Sequence, residues 1–320
     1  MRTEHLDPDD AGIARAAALL RGGGLVAFPT ETVYGLGALA LDGLAVRAIY
    51  AAKGRPATNP VIVHVPGAAE AAALASPWPE AAARLAARHW PGPLTLVVPR
   101  ARAVPDEVTA GGGTVGLRAP AHPVAQALLR ALGAPLAAPS ANASEHVSPT
   151  TAAHVLADLD GRIDAVIDGG PCPVGIESTV LSLAHGVPRL LRPGAVSRDA
   201  LEAEVGPLAS GPPPSGPPAS PGQHPRHYAP AGILAVATRG ALEETLARLP
   251  APRGAIVRGP PPRDADAAVS LPGEPGEFAR GLYAALRSLE ERGCRSIVVE
   301  ALPESAAWEA IRDRLARAAG

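Results

Sequence analysis

The chain carries at residues 25–37 the run Leu25-Val26-Ala27-Phe28-Pro29-Thr30-Glu31-Thr32-Val33-Tyr34-Gly35-Leu36-Gly37. Its first four residues are apolar and follow three glycines, which predicts a buried strand just after the end of a helix. The polar residues that follow stand where the carboxyl end of such a strand opens a crevice in an α/β sheet. On its own, this polar stretch is also typical of a turn capped by glycines.

Strand and helix patterns alternate through the rest of the chain. In the first two thirds we predict helices at 11–21, 44–53 and 148–157, and strands at 25–28, 61–65, 94–98, 114–118, 163–167, 178–183 and 189–191. Ser148 as N-cap and Pro149 at the first helical position would open the third helix. In the last third we predict strands at 233–237, 255–257 and 297–299, and helices at 240–249, 277–291 and 303–318. The alternation predicts the α/β class, with a small parallel, Rossmann-like sheet in the last third.

A proline-rich stretch divides the chain. Residues 207–230 include the run Gly211-Pro212-Pro213-Pro214-Ser215-Gly216-Pro217-Pro218. Prolines lack the backbone N–H that helices and sheets need, and they favour extended conformations. We therefore predict a first domain at 1–206, a linker at 207–230 and a second domain at 231–320.

The composition excludes several classes of protein. A net charge of −2 over 320 residues gives no general attraction to nucleic acid or to an anionic membrane. No apolar run is long enough to span a bilayer, and the first residues lack the apolar core of a signal peptide. Cys172 and Cys294 are not spaced as metal ligands, and we interpret both as reduced thiols of a cytoplasmic protein.

Common nucleotide and hydrolase motifs are absent. The sequence Gly35-Leu36-Gly37-Ala38-Leu39-Ala40 matches a loose dinucleotide fingerprint, but no acidic residue follows about 20 positions later. Gly111-Gly112-Gly113 lacks the lysine of a phosphate loop, the nine histidines show no metal spacing, and no Gly-x-Ser-x-Gly motif occurs. A nucleotide site in this chain must be of another kind.

Two short motifs contain the functional groups that chemistry on a triphosphate requires. Lys53-Gly54-Arg55 places two cations close together after a helix, and Pro139-Ser140-Ala141-Asn142 places a hydroxyl and an amide in a loop. Cations stabilise charge on phosphate oxygens, and neutral donors orient the group. Taken alone, each motif is more often a solvated surface or a turn, so only the combination of motifs indicates a function.

The order of these motifs resembles the YrdC-like family of threonylcarbamoyl-AMP synthases. The motifs are Pro-Thr-Glu-Thr-x-Tyr-Gly-Leu at 29–36, Lys-x-Arg at 53–55, Ser-x-Asn at 140–142 and His-Tyr-Ala-Pro at 227–230. The last of them is typical of the two-domain form, in which a linker joins a Rossmann-like domain. The resemblance implies a twisted, open, mixed sheet with helices in the first domain.

The resemblance also implies a reaction and its residues. The family converts L-threonine, bicarbonate or CO2, and ATP into threonylcarbamoyl-adenylate and pyrophosphate, the first step of a tRNA modification. The implied catalytic residues are Lys53, Arg55, Ser140 and Asn142. The implied ATP contacts are Arg55, Asn59, Thr114, Ser140, Ser148, Arg192 and Tyr228. The implied threonine contacts are Thr32, His64, Arg118, Ala138 and Ser178. Mg2+ is expected on the ATP phosphates.

The sequence departs from the family pattern at two places. Ala138 stands where many members have threonine, so a hydroxyl contact to the substrate would be missing. The linker reads Pro221-Gly222-Gln223-His224-Pro225-Arg226 and lacks an aromatic and one basic residue of the family pattern. We expect the linker to act as a lid, with Tyr228 over the cleft.

Two other functions remain possible from the sequence. One is a translation-associated RNA-binding protein of the same fold without ATP turnover, although the chain has few aromatic residues for base stacking. The other is a carbamoyl-transfer module of hydrogenase maturation, whose acylphosphatase-like and zinc-finger regions this chain lacks. Direct tRNA binding is undecided, and a downstream threonylcarbamoyl transferase is a candidate partner.

Overall fold

The structure is a computed structural model that describes residues 2–211 and 228–320. These residues form two units. The first contains 2–144, 149–172 and 177–211, and the second contains 145–148, 173–176 and 228–320. Most of the predicted linker, including His227 of the His-Tyr-Ala-Pro motif and residues 221–226, lies outside the described residues, so the linker and the lid stay predictions.

The first unit is built from short strands and helices that alternate irregularly. Its strands are β1 (Glu4–Leu6), β2 (Val26–Phe28), β3 (Gly35–Leu39), β4 (Ile62–His64), β5 (Leu94–Pro99), β6 (Thr114–Arg118), β7 (Leu136–Ala137), β8 (Ala165–Ile167), β9 (Thr179–Ser182), β10 (Arg189–Arg192) and β11 (Ala209–Ser210). Its helices are α1 (Asp10–Arg21), α2 (Gly43–Lys53), α3 (Ala68–Ala72), α4 (Glu80–His89), α5 (Asp106–Thr109), α6 (Pro123–Leu132), α7 (Ala152–Leu159) and α8 (Arg198–Val205).

These strands form one mixed sheet in the order β1-β8-β2-β3-β7-β4-β6-β5-β9-β10-β11. Parallel pairs such as β4–β6 and β5–β9 alternate with antiparallel pairs such as β2–β3, β4–β7 and β5–β6. The predicted mixed sheet of the first domain is therefore confirmed.

Both faces of the large sheet are buried. Val26 and Phe28 of β2 face a core that α1 and α6 cover, whereas Ala27 between them belongs to a second core with residues of α2, α4 and α7. Because successive strand residues point to opposite faces, this alternation requires helices on both sides. Ala, Val and Leu fill most of the core in place of aromatic residues, as the composition predicts.

The second unit contains the predicted small parallel sheet. Its strands β12 (Ile233–Ala237), β13 (Arg253–Val257), β14 (Ala267–Ser270) and β15 (Ser296–Glu300) lie in the order β12-β15-β13-β14, with every pair parallel. The helices are α9 (Leu242–Ala247), α10 (Pro275–Glu291) and α11 (Glu309–Ala319). The Rossmann-like prediction for this part of the chain is confirmed.

Two local predictions differ from the structure. The helix expected to begin after Ser148 begins at Ala152, because Thr151 is its N-cap and its hydroxyl accepts the N–H of His154. Residues 35–39, treated as the end of a polar loop, form β3 instead. Two glycines lower strand propensity in that segment, but its pairing with β2 and β7 overrides the preference.

Leu96 tests the central packing of the large sheet. It lies fully buried on β5, so Leu96→Ala is expected to lower the free energy of unfolding by about 2–5 kcal/mol through lost burial and a cavity. Leu44 is 71% exposed, and Leu44→Ala is the matched control, with an expected change within about 0.5 kcal/mol. Urea unfolding measures both. Equal losses in the two variants would contradict this packing.

Candidate active site

The Thr30–Val33 turn is folded by the hydroxyl of Thr30. Thr30 Oγ1 accepts the N–H groups of Thr32 and Val33, each at 3.2 Å, and lies 2.6 Å from the carbonyl oxygen of Val33. It also lies 2.9 Å from the hydroxyl of Thr32. Such side-chain bonds replace ladder hydrogen bonds in tight turns. All four residues of the turn are buried, so its polar side chains lie inside the protein.

The same turn is joined to the 139–142 loop by backbone hydrogen bonds. The N–H of Leu36 donates to Pro139 and the N–H of Ala141 donates to Tyr34, each at 2.8 Å. Gly35 and Ser140 form an isolated antiparallel bridge. Two motifs about a hundred residues apart in sequence are thus adjacent in space.

Lys53, at the end of α2, holds the 139–142 loop from the other side. Its Nζ donates to the carbonyl oxygen of Ser140 at 2.7 Å and also to that of Asn142. The lysine is only 3% exposed, so its ammonium group places a buried positive charge at this loop. The structure therefore brings three of the four predicted catalytic residues together.

Arg55 and Asn59 lie in the segment that leads into β4. The Arg55 guanidinium donates to the carbonyl oxygens of Asn59 at 3.2 Å and Pro60 at 2.9 Å. Asn59 Oδ1 is buried and has no hydrogen-bond partner among the described residues. A buried acceptor without a donor costs free energy, which a ligand N–H or hydroxyl would recover.

His64 and Arg118 end two parallel strands side by side. They are register partners in the β4–β6 pair. Arg118 Nη1 donates to Thr32 Oγ1 at 2.9 Å, and Nη2 lies 2.7 Å from Glu31 Oε1 in an ion pair. Arg118 Nε is buried without a hydrogen-bond partner among the residues described. Thr32, His64 and Arg118 are all buried, and Arg118 contacts Thr32 directly and lies beside His64 in the sheet. We refer to these residues and their buried polar neighbours as the pocket.

His64 is neutral in this pocket. Complete burial, together with the positive charge of Arg118, lowers its pKa to about 3, and the backbone of Ile62 opposes this shift only weakly. Its imidazole can therefore act as a hydrogen-bonding group without adding charge.

Ser178, the residue directly before β9, is a further buried polar neighbour. Its hydroxyl lies 2.8 Å from Thr95 Oγ1 and 3.2 Å from Arg192 Nη2, and its carbonyl oxygen accepts from Arg192 Nε at 3.0 Å. Thr95 is level with Arg118, since Leu96 pairs with Leu117 in the neighbouring strand. Gly194 passes so close that a Cβ on it would lie 2.3 Å from the backbone nitrogen of Thr179.

Four predicted site residues remain: Thr114, Ala138, Ser148 and Tyr228. Thr114 begins β6 and Arg118 ends it, so the two lie roughly 13 Å apart at about 3.3 Å per residue. Ala138 is buried beside the site, and its N–H donates to the carbonyl of Ile62 at 2.9 Å. Ser148 and Tyr228 belong to the second unit, and the structure does not test their predicted contacts with ATP.

Tyr228 is buried within the second unit. It stacks on Tyr283 with ring centres 6.1 Å apart, and the guanidinium of Arg314 lies 5.4 Å from its ring centre. Tyr228 and Glu145 both have left-handed backbone angles, with φ of 64° and 67°. Ala229 donates its N–H to Glu145 at 3.0 Å. Non-glycine residues persist in this conformation only where their surroundings impose it.

Two side chains of the pocket, those of Glu31 and Thr95, were not predicted from the sequence. Glu31 contacts Arg118, and Thr95 contacts Ser178. Both partners are residues that we predicted to bind the substrate L-threonine. Glu31 could have been found from its position inside the Pro-Thr-Glu-Thr motif. Thr95 gave no local signal, because a threonine in an apolar strand is ordinary.

No group of three or more His, Cys, Asp or Glu side chains suited to a metal occurs at residues 2–211 or 228–320. The structure therefore offers no protein cage for a metal in these ranges. Cys172 and Cys294 are free and buried, and burial raises the pKa of the Cys172 thiol to about 12. No helix in the described part of the chain is long and apolar enough to cross a membrane.

The fold and these side chains define a two-part α/β protein with a buried cluster of arginine, lysine and neutral polar residues in its first unit. Residues 18–194 match the Sua5, YciO and YrdC family described as "Telomere recombination". Residues 196–320 match "Threonylcarbamoyl-AMP synthase, C-terminal domain". The chain therefore belongs to the Sua5, YciO and YrdC family, in the form that carries this second domain.

Individual relatives extend the similarity over the whole chain. Threonylcarbamoyl-AMP synthase of Bacillus subtilis (strain 168) is 45% identical over 332 residues, covering 99% of this chain and 96% of that protein. The protein of the same name from Pyrococcus abyssi is 42% identical, covering 95% and 93%. The crystal structure of P. abyssi Sua5 complexed with L-threonine superimposes with a TM-score of 0.95 at 40% identity, covering 99% of this chain and 98% of that one.

The low pKa of His64 predicts a pH effect on stability. Because the folded pKa of about 3 lies below the unfolded value of 6.5, the unfolded chain binds an extra proton between these values. His64 therefore stabilises the fold fully above pH 6.5, and the contribution falls as the pH drops towards 3. Between pH 8 and pH 5 the free energy of unfolding should fall by about 2 kcal/mol more in the wild type than in His64→Gln. Urea titrations at both pH values measure this. Equal falls would mean that His64 protonates freely in the fold.

The close approach at Gly194 predicts a steric effect on the pocket. Gly194→Ala should force Ser178 and Thr179 to move and cost about 1–3 kcal/mol of stability. Gly240→Ala is the matched control, because its Cβ would meet nothing within 4 Å. Thermal unfolding distinguishes the two variants. An unchanged melting temperature for Gly194→Ala would show that the backbone accommodates the methyl group.

Proposed function

We propose that the chain is a threonylcarbamoyl-AMP synthase, which uses L-threonine, CO2 or bicarbonate, and ATP to form threonylcarbamoyl-adenylate and pyrophosphate. The observation that carries the proposal is the buried guanidinium of Arg118, held between Thr32 and Glu31 with Nε left for a ligand. A buried arginine with an open edge suits the bidentate binding of a carboxylate. The names of the full-length relatives support the same reaction.

Threonine has three polar groups for this pocket to bind. Arg118 would hold its carboxylate, and the neutral imidazole of His64 and the hydroxyls of Thr32 and Ser178 would orient its amine and hydroxyl. Ala138 offers only its backbone, whose N–H is already bonded to Ile62. We therefore infer that this chain does not depend on a side-chain hydroxyl at position 138.

ATP would occupy the region around the beginnings of β4 and β6. Arg55, Asn59 and Thr114 lie there, and Ser140 lies beside Lys53. Thr114 and Arg118 lie at opposite ends of β6, so the predicted ATP and threonine contacts would be at different positions along this strand. Arg192, bonded to Ser178, would bring positive charge to the phosphates. Ser148 and Tyr228 remain predicted ATP contacts.

The reaction requires positioning and charge stabilisation. The deprotonated threonine amine attacks CO2, a C–N bond forms, and a proton is released to give a carbamate. A carbamate oxygen then attacks the α-phosphorus of ATP, and the bond from that phosphorus to the bridging oxygen breaks as pyrophosphate leaves. Lys53, Arg55 and Arg192 would stabilise the growing negative charge, with no covalent intermediate on the enzyme.

Mg2+ would enter with ATP and be held mainly by phosphate oxygens and water, because Mg2+ in such sites takes few protein ligands. When bound, it would neutralise phosphate charge. The amide of Asn142 and the hydroxyl of Ser140 are neutral oxygen groups suited to orient such a phosphate–metal complex. The product would pass to a transferase that modifies tRNA, and we expect the cytoplasm as the location.

Threonine-dependent release of pyrophosphate tests the activity. Incubation with ATP, bicarbonate and threonine should yield pyrophosphate, and omission of threonine should abolish it. Pyrophosphate released equally with serine or without an amino acid would refute the assignment. A salt-dependent affinity for tRNA without any turnover would favour the RNA-binding alternative instead.

Arg118→Lys tests the carboxylate contact. Lysine keeps the charge but loses the planar fork, so KM for threonine should rise about 10- to 100-fold while KM for ATP changes little. Arg15→Lys is the matched control, since Arg15 forms an exposed ion pair with Glu4. Steady-state kinetics measure both constants. A rise in KM for ATP alone would place Arg118 at the nucleotide.

A further inference from the structure

Glu31 is the charged residue of the pocket to which neither the sequence pattern nor the proposed reaction gives a role. It lies in the Thr30–Val33 turn, and its side chain is only 8% exposed. Its Oε1 lies 2.7 Å from Arg118 Nη2, and its Oε2 accepts the N–H of Ala121 at 3.0 Å. Each carboxylate oxygen thus has a different neighbour, which fixes the orientation of the group.

The ion pair is close but poorly aligned. Glu31 Oε1 and Arg118 Nη2 are both buried without a hydrogen bond of good geometry, although they are within contact distance. A buried ion pair contributes stability only when its geometry is good and its remaining groups are hydrogen-bonded. The geometry of this pair is therefore a poor fit to a purely stabilising role.

The two neighbours of Arg118 leave one edge of the guanidinium open. Nη1 is committed to Thr32 Oγ1 at 2.9 Å, and Glu31 holds Nη2 from one side. Nε is buried without a partner among the described residues, so the Nε–Nη2 edge is the part of the fork that can still donate two parallel hydrogen bonds to a carboxylate. Glu31 is the charged neighbour of this edge among the described residues, whereas the hydrogen bond to Thr32 holds Nη1.

We propose that Glu31 is a positioning residue that presents the Nε–Nη2 edge of Arg118 to the carboxylate of the amino-acid substrate. The inference rests on the proposed function, which supplies threonine as that substrate. The N–H of Ala121 donates to Glu31 Oε2, and Arg118 Nη1 donates to Thr32 Oγ1. The arginine is thus oriented before the substrate arrives, which lowers the entropic cost of binding.

Glu31→Gln is the direct test. A glutamine has one acceptor oxygen for two donors, Ala121 N–H and Arg118 Nη2, so its NH2 group must oppose one of them. KM for threonine should rise about 10- to 100-fold, which is the scale of losing one charge-assisted hydrogen bond between Arg118 and the substrate carboxylate. KM for ATP should stay within about twofold, as expected for a site without shared contacts. Pyrophosphate release under saturating co-substrates measures each constant.

A substrate analogue separates positioning from a general structural effect. L-Threoninamide lacks the carboxylate, and its inhibition constant against threonine can be measured in both proteins. In the wild type, threoninamide should bind about 10- to 100-fold more weakly than threonine, and in Glu31→Gln this difference should shrink to a few-fold. A purely structural defect would weaken both ligands equally and preserve the ratio.

Glu4→Gln is the matched control, because Glu4 forms an exposed ion pair with Arg15 outside the pocket. It should leave all constants unchanged.

If Glu31→Gln does not fold, Glu31→Asp provides the same comparison, since aspartate keeps the charge but is too short to reach both Ala121 and Arg118. An unchanged KM for threonine, or an unchanged threonine-to-threoninamide ratio, in a folded variant would overturn the proposal. Absence of threonine-dependent pyrophosphate in the wild type would instead refute the proposed function.

Discussion

The candidate site depends on the backbone pairing between residues 34–36 and 139–141. These two hydrogen bonds and the Gly35–Ser140 bridge bring the Thr30–Val33 turn beside the Ser-x-Asn loop. Lys53 then fixes the loop through its carbonyl oxygens. Because the pairing is made by backbone groups, the site tolerates side-chain changes in the loop more readily than changes in its register. The predicted catalytic residues Ser140 and Asn142 are therefore positioned by backbone pairing and by Lys53.

Much of this organisation could be predicted from the sequence, but unevenly. The alternating pattern was sufficient for the α/β class and for the small parallel sheet, because β12, β13 and β15 are short runs dominated by apolar residues. Strand β3 was missed, since its glycines have low strand propensity and only tertiary pairing makes it a strand. The helix after Ser148 was placed early, because Ser148-Pro149 and Thr151 are competing start signals and only the structure shows which is used.

The site residues show the same limit. Motif order identified Lys53, Ser140 and Asn142 as a group, and the structure brings them into contact. The sequence could not show that Lys53 binds two carbonyl oxygens, since such bonds depend on where a distant loop lies. It also could not show that Arg118 has a carboxylate partner 87 positions away in the chain. Long-range charge pairing leaves no periodic signal, so the electrostatics of the pocket emerge only in three dimensions.

The short segments 145–148 and 173–176 have a consequence for how the chain can be divided. Both belong to the second unit: Arg287 donates to the carbonyl of Val147, and Arg280 donates to that of Pro173 at 2.9 Å. Gly175 lies so close to Arg280 that a methyl group would not fit. A truncation after residue 206 would remove α10 and leave both segments without these partners. A cut at the linker would therefore separate segments 145–148 and 173–176 from the rest of the second unit, and the first 206 residues expressed alone would carry both segments without their packing partners.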